Sequence, residues 1–404
     1  MRKVDVLIVG GSLSAAGTAL RCRQAGLETL VLERKKLPRH KMCSGILSPR
    51  GHRFLKENFG KIPEEALHTP KLCRGVNFLF PDRSQMPMDF IEGPTPHLHR
   101  KFSDCWAIKS AGVDIDEETE VVSFEDKGDR VVVEAKNPEG PISYEAKYMV
   151  GADGPRSTVV NHLYPEYRKK LKWFMVMQKY YKAETDLSEE FFHFFIDDTL
   201  GHYPWTHIES GEWIVGVGGF LQDNMKHRHE RVVEVMKQRH GFVIGKEVRK
   251  EGCPENFGLS LTNRYEFGKG RILITGQAAG FLNMMAEGMS CALHSGSHAG
   301  ESVAEALQTN KNVEEIYRLR VQDEVKHCSD QWNPFQILVA QPHEANLKQG
   351  LFAQGPLKAA YWSKEMIKFC KQFHGLGWGK DILRGSLRRI LTGDYGTPYS
   401  IPKK

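Results

Sequence analysis

The chain has 404 residues, 40% hydrophobic and 26% charged, which suits a globular fold with a large core and two or three connected subdomains. Its 56 Lys and Arg against 50 Asp and Glu give a net charge of +6 without basic–aromatic interleaving, so nucleic acid is not expected as a partner. No apolar run approaches the ~18 residues of a spanning helix, and the eight cysteines, with no C-x-x-C pair, read as free thiols of a reducing cytoplasm.

The opening VDVLIVGG reads as a buried parallel strand and not as a signal peptide, because Asp5 interrupts it and a glycine turn follows. SAAGTALRCRQAG then predicts a helix stopped at Gly26, and LETLVLER a second strand ending in Glu33. This is a β-α-β unit with an acid 23 residues beyond Gly10, where a dinucleotide fold places the carboxylate that takes a ribose hydroxyl. The glycine fingerprint is worn. Gly10 stands, Ser12 and Ala15 replace the second and third glycines, and Gly11 lends flexibility beside them. On this pattern Gly10, Gly11, Ser12, Ser14, Ala15, Glu33 and Arg34 line the pyrophosphate and ribose, with the Ser12 hydroxyl donating to a phosphate oxygen. An acid at position 33 favours FAD or NAD over a 2′-phosphate.

Four further segments follow. LPRHKMCSGILSPRG spans 37–51, and HRKFSDCWAIKSAGV, 99–113, predicts an amphipathic helix beginning at an arginine. After strands around TEVVSF and RVVVEA, YMVGADGPRSTV (148–159) predicts a strand breaking into a loop with Asp153. GRILITGQAAGFLNMMAEGMSCALHSGSHAGESV (270–303) predicts a strand, a glycine-bounded turn, a loop and a small-residue helix. Between them, residues 172–220 alternate aromatic and polar positions and predict antiparallel strands.

These motifs in this order resemble the geranylgeranyl reductase family of FAD-dependent oxidoreductases, within the para-hydroxybenzoate hydroxylase-like flavoprotein group, from residue 4 to about 395. The family's P-x-x-x-x-C-(S/G)-G is Pro38 with Cys43, Ser44 and Gly45, and its R-x-x-F-D-x-W-like helix start is Arg100, Phe102 and Asp104. Its G-A-D-G-x-x-S loop is Gly151 to Ser157, and its G-D-A-A-G-F segment and G-E-G turn are Gly276 to Gly288. Gln277 replaces the Asp of that segment, Met284 stands where a proline is usual, and ILTG at 390–393 is similar to the closing helix.

The resemblance implies an α/β fold: a Rossmann-like FAD-binding domain with an inserted antiparallel β-sheet substrate domain and a C-terminal helical segment. FAD-binding parts are expected at 1–72, 99–170 and 266–330, substrate-domain strands at 73–98 and 171–265, and a basic helical segment at 331–404. It implies FAD in an extended pose, with Glu33 on the adenosine ribose, the Val121 backbone near the adenine, and Arg100 near the phosphates or ribityl chain. Gly276 and Gln277 are implied at the ribityl–phosphate region and Gly288 and Met289 near the isoalloxazine; Asp153, Cys43, Ser44 and Gly45 complete the cofactor set.

The implied activity is reduction of carbon–carbon double bonds of an isoprenoid or other apolar substrate by hydride transfer from reduced flavin. Cys43, Tyr203 and Trp205 are the catalytic candidates; the last two fall in the family's Y-x-W-x-F-P signature, where Ile208 replaces the proline. For Cys43, a thiol that merely fills space is the alternative. With no second dinucleotide domain in view, NAD(P)H visits transiently or a protein donor supplies electrons. Two other readings stay open: a hydroxylase-type flavin monooxygenase on an aromatic or lipid-like substrate, and a flavin-less binding protein on the same fold.

The H-x-H pairs His97/His99 and His227/His229 have no acid or cysteine cluster beside them, so no metal is expected, and no G-x-S-x-G elbow points to hydrolysis. From residue 341 onward 11 Lys and Arg face 4 Asp and Glu, and KDILRGSLRRILTG carries an apolar stripe at helical spacing. That segment is read either as a helix packed on the body or as a basic surface meeting anionic lipid. Localisation is accordingly cytoplasmic, with peripheral contact at the inner membrane face as the second reading.

Overall fold

The computed structural model describes residues 1–329 except 91, 167–172, 198–199, 201, 221–222, 257–263 and 284–285. The side chains of His202, Tyr203 and Phe220 also lie outside that set, as do Met284 and the basic segment expected over 331–404.

The amino-terminal strand β1 (Arg2–Val9) sits inside an eight-stranded sheet. Val6, Leu7, Ile8 and Val9 are all buried, as a strand covered on both faces requires. It pairs in parallel with β2 (Thr29–Leu32) and with the end of the long β10 (Gly140–Gly151). Beyond them the sheet continues through β7 (Asp114–Asp116) on one side and β17 (Ile272–Ile274) and β16 (Gly268–Lys269) on the other. The hairpin β8 (Glu120–Asp126) and β9 (Val131–Asn137) joins through β10. Thus three stretches far apart in sequence supply adjacent parallel strands, and the loops after β1, β10 and β17 leave from one edge. In an open α/β sheet that edge is where ligands bind.

Helix α1 (Leu13–Gln24) follows β1, and α2 (Pro49–Phe59), α3 (Arg100–Ser110) and the short α4 (Thr158–Leu163) come later. After α5 (Met225–Arg239) in the second sheet's region come α6 (Met289–Thr309), opening at Gly288, and α7 (Val313–Arg320). α1 and α6 cross at backbone contact. A methyl group on Gly296 would lie 2.1 Å from the Ser14 carbonyl oxygen, and one on Gly17 2.5 Å from that of Leu293. The Thr18 hydroxyl, near both helices' carbonyls, is 3.0 Å from Ser14 O and 2.9 Å from Gly296 O.

A second, seven-stranded sheet runs in the order β15 (Val243–Glu255), β11 (Phe174–Glu184), β14 (Glu212–Phe220), β13 (His202–Glu209), β12 (Phe191–Phe195), β4 (Gly75–Leu79), β5 (Gln85–Asp89). Neighbours are antiparallel except β12 and β4. The period of two is plain on β11: Met177 and Tyr181 pack with Val232, Val235 and Met236 of α5, whereas Phe174, Val176 and Gln178 face a cleft. The strands within 73–98 divide between two sheets. β4 and β5 join the seven-stranded sheet, while β6 (Thr95–Leu98) pairs with β3 (Leu67–Cys73) in a separate two-stranded one. A single bridge between Ile46 and His97 ties that ribbon to the 37–51 segment.

Candidate active site

A cleft of about 620 Å³ lies between the ligand edge of the first sheet and the face of the second. Its glycine wall depends on local backbone geometry. Gly10 has φ +102°, and a Cβ there would stand 2.7 Å from the Ala152 carbonyl oxygen, so no larger residue fits the turn from β1. Ser12 caps α1 by its backbone only; its side chain makes no capping bond, and no acid occupies the first turn. The unpaired N–H groups of α1 therefore open on the cleft beside Gly11, Ser12 and Ser14, an arrangement that favours an anion.

Charges around this turn are paired inside the chain. Glu33 accepts from the Gly11 N–H at 2.9 Å, the Lys35 N–H at 3.0 Å and Arg39 Nε at 3.0 Å. Three of roughly four acceptor positions on its carboxylate are thereby used, and one is left for a ribose hydroxyl. Asp104, fully buried, accepts from Arg100 Nε at 2.8 Å and Nη2 at 3.0 Å. Burial alone would raise the Asp104 pKa, but Arg100, Lys41 and Arg39 hold it down at about 2. Arg39, Lys41 and Arg100 make three cations against the carboxylates Glu33 and Asp104, which leaves a positive surplus at the helix end. Burial, with the nearby Arg100, lowers the pKa of Lys41.

Fourteen of the residues expected at the cofactor line this one cleft. They are Gly10, Gly11, Ser12, Ser14, Glu33 and Arg34 from the first β-α-β unit; Cys43, Ser44, Arg100, Val121 and Asp153; and Gln277, Gly288 and Met289 from the last segment. Three others do not reach it. Ala15 is buried within α1; Gly45 (φ +68°) turns beneath β6, where a Cβ would lie 2.2 Å from Leu98 O; Gly276 donates its N–H to Ser295 Oγ at 3.0 Å. Ser12 also differs from the reading of its hydroxyl as a phosphate donor. Its Oγ donates to Asp104 Oδ2 at 2.9 Å and is itself 3.3 Å from Arg100 Nη2. The Glu287 carboxylate accepts from the Ser290 N–H at 2.8 Å, so one of the free groups at the start of α6 is already satisfied.

Of the catalytic candidates, Cys43 stands on the cleft next to Arg100, and Trp205 lines it from β13; the Tyr203 side chain is outside the described residues. Trp205 sits over Gly216, where a Cβ would fall 2.0 Å from the indole, and its buried Nε1 has no partner among the described residues. The buried Asp153 Oδ1 is likewise unpartnered, while Oδ2 accepts from the Thr158 N–H at 2.7 Å. Trp205 and Asp153 thus each line the cleft while holding one polar atom buried just beneath its surface. With the open helix end, the positive surplus and the spare position on Glu33, the residues present fit FAD.

Sequence reasoning missed Arg39, Lys41, Glu251, Cys253 and Glu255, all on the cleft. Gln277 Nε2 donates to Glu255 Oε2, and the Cys253 thiol donates to Oε1 at 3.3 Å. Burial pushes the Glu255 carboxyl up, against the opposing pull of Cys253, Gln277 and Lys41. Glu251 accepts from the Tyr180 hydroxyl at 3.0 Å and pairs with His40 at 3.2 Å. Arg39 and Lys41 fall at the unspecified positions of the Pro38–Cys43 motif, and Glu251, Cys253 and Glu255 carry no signal because β15 reads simply as a charged strand.

Protein CbrA of Escherichia coli strain K12 is 27% identical over 308 residues, which cover 73% of this chain and 82% of that protein. Two solved structures share the fold. A geranylgeranyl bacteriochlorophyll reductase-like protein of Thermoplasma acidophilum matches at TM-score 0.68 with 16% identity, over 85% of this chain and 92% of that one. The p-nitrophenol 4-monooxygenase PnpA of Pseudomonas putida DLL-E4 matches at TM-score 0.65 with 17% identity, over 98% of this chain and 100% of its own. The family model described as FAD binding domain covers residues 105–316, just over half of the chain. Geometry and family agree on the ligand: this chain belongs to the FAD binding domain family, and its cofactor is FAD.

Proposed function

We propose that the chain is an FAD-dependent reductase of carbon–carbon double bonds in an apolar, isoprenoid-like substrate. The observation that carries this reading is the substrate side of the cleft. Phe174, Val176, Phe192, Phe194 and Trp205 line it, and the acid Glu255, its pKa raised by burial, stands among them. Reduced FAD, when bound, supplies a hydride to one alkene carbon. Glu255 gives its carboxyl proton to the other carbon, so the double bond is consumed and the product gains two hydrogens. Gln277 and Cys253 hold that carboxyl at a fixed angle, and the aromatic wall keeps water from competing for the proton. Re-reduction takes two electrons from a nicotinamide or a protein donor. The name of the Thermoplasma protein is in keeping with this reading; that of PnpA is in keeping with an oxygen-using one. The flavin-less reading falls with membership in an FAD-binding family.

The test is anaerobic turnover with dithionite as reductant and long-chain prenyl alcohols and diphosphates as substrates, read by mass spectrometry. A product two hydrogens heavier is expected. Absence of such a product, with oxygen-dependent hydroxylation and NAD(P)H consumption instead, would overturn the reductase reading in favour of a monooxygenase.

A further inference from the structure

A second polar cluster is buried in the seam where β3 and β6 meet β13. His68 on β3, His97 on β6 and Glu209 on β13 are 8%, 2% and 6% exposed, and one ligand atom of each lies within 4.8 Å of the others. Glu209 Oε2 is 3.7 Å from His68 Nε2, and Oε1 is 3.0 Å from Nε2 of His207, itself 1% exposed. His99 stacks on His68 with ring centroids 4.5 Å apart. Arg249, which acts on Glu209 electrostatically, is already committed to Glu212 and Glu251. A buried carboxyl among imidazoles, with no cation of its own, is costly unless something positive completes the set.

His97 makes that need specific. Its Nδ1 is 3.2 Å from the Pro70 carbonyl oxygen and its Nε2 is 3.0 Å from that of Ser44. Both oxygens only accept, and a neutral imidazole has one N–H, so one ring lone pair faces an oxygen lone pair. A cation at that nitrogen removes the conflict. A metal ion takes the lone pair of a neutral imidazole.

We propose that His68, His97 and Glu209, with His207 as fourth donor, bind one divalent transition-metal ion of the zinc type. Imidazole nitrogens and a carboxylate oxygen are zinc donors, and His207 as fourth donor would close the tetrahedral set. His68 Nδ1 lies 3.2 Å from Ser210 Oγ, and the His97 nitrogen that does not take the ion keeps its backbone carbonyl; such outer bonds on the non-ligating nitrogen orient metal-binding imidazoles. Donors around tetrahedral zinc stand about 3.4 Å apart, given bonds near 2.1 Å, so the 3.7 Å between His68 and Glu209 closes by side-chain rotation. The ion fastens β13 of the second sheet to β6. It thereby braces the turn at Ser44, which His97 contacts and which lines the FAD cleft. The site is independent of which reaction the cleft performs.

Untagged holoprotein dialysed against a weak chelator, then titrated with Zn²⁺ or Co²⁺ alone, tests the proposal. One equivalent of metal retained per chain, visible absorption from the cobalt form, and a loss of affinity on the order of 100-fold in Glu209→Gln and His68→Gln are expected, with His227→Gln unchanged. Two outcomes overturn it: no retained metal and no cobalt absorption, or equal binding by the wild type and both ligand variants. If those variants fail to fold, a zinc-soaked crystal of the wild type decides by anomalous scattering. A peak among His68, His97 and Glu209 upholds the site, and peaks only elsewhere refute it.

Discussion

The two walls of the cleft solve the problem of buried charge in opposite ways. On the glycine side the buried carboxylates Asp104 and Glu33 are answered within the chain, Asp104 by Arg100, and Glu33 by two backbone N–H groups and Arg39. On the strand side, the Trp205 indole N–H has no partner among the described residues, and the His68–His97–Glu209 set behind it is buried without a cation of its own. The Asp104 and Glu33 carboxylates of the first wall are paired before anything binds. The second is built to be completed.

The largest effect is expected where the first wall is broken. Asp104→Asn leaves Arg100 without its countercharge and Arg39 with Glu33 alone, and should cost about 3–5 kcal/mol in unfolding free energy by urea denaturation. Because Asp104 is held at about 2 when folded, against roughly 3.9 in an unfolded chain, its contribution is full above pH ~4 and lost as pH falls through ~2. The Asn variant should lack that acid limb. On the other wall, Glu255→Gln should lower turnover of the proposed alkene reduction roughly 10²-fold or more. In the wild type the rate should fall as pH rises through the raised Glu255 pKa, and stopped-flow pH profiles should lose that limb in the variant.

A sharper probe of the glycine wall is Gly10→Ala. Forcing a side chain to φ +102° and within 2.7 Å of Ala152 O should cost about 1–3 kcal/mol, read as weaker FAD retention by absorbance after gel filtration. Smallest is Ser12→Gly, which restores the usual glycine but removes the hydroxyl from Asp104. A loss of about 1 kcal/mol in stability with less than tenfold change in FAD affinity is expected, the latter by fluorescence titration.

What was legible follows from distance along the chain. Gly10 and Glu33 announce themselves because a tight turn and a strand-end acid are requirements of one short β-α-β unit. The Ser12 hydroxyl was not legible, since its partner Asp104 lies 92 residues away and claims the proton a phosphate was expected to receive. Gly45 and Gly276 look like cofactor contacts in sequence, yet close approach to Leu98 and Ser14 already demands glycine at both. Glu255 is invisible because its role depends on Gln277 arriving opposite it from another segment. The acid that the His97–His99 pair lacks in sequence is Glu209, brought alongside by β13.

The interlocked crossing of α1 and α6 has a mechanical corollary. With Gly17 and Gly296 each pressed against the opposite helix's backbone, neither rod can slide or tilt without steric collision. The two segments therefore behave as one beam, and that beam carries both the Gly10–Ser12 turn and the Gly288 start of α6 to the cleft. Whatever lies between those two ends of the cleft spans a distance fixed by the glycines at 17 and 296.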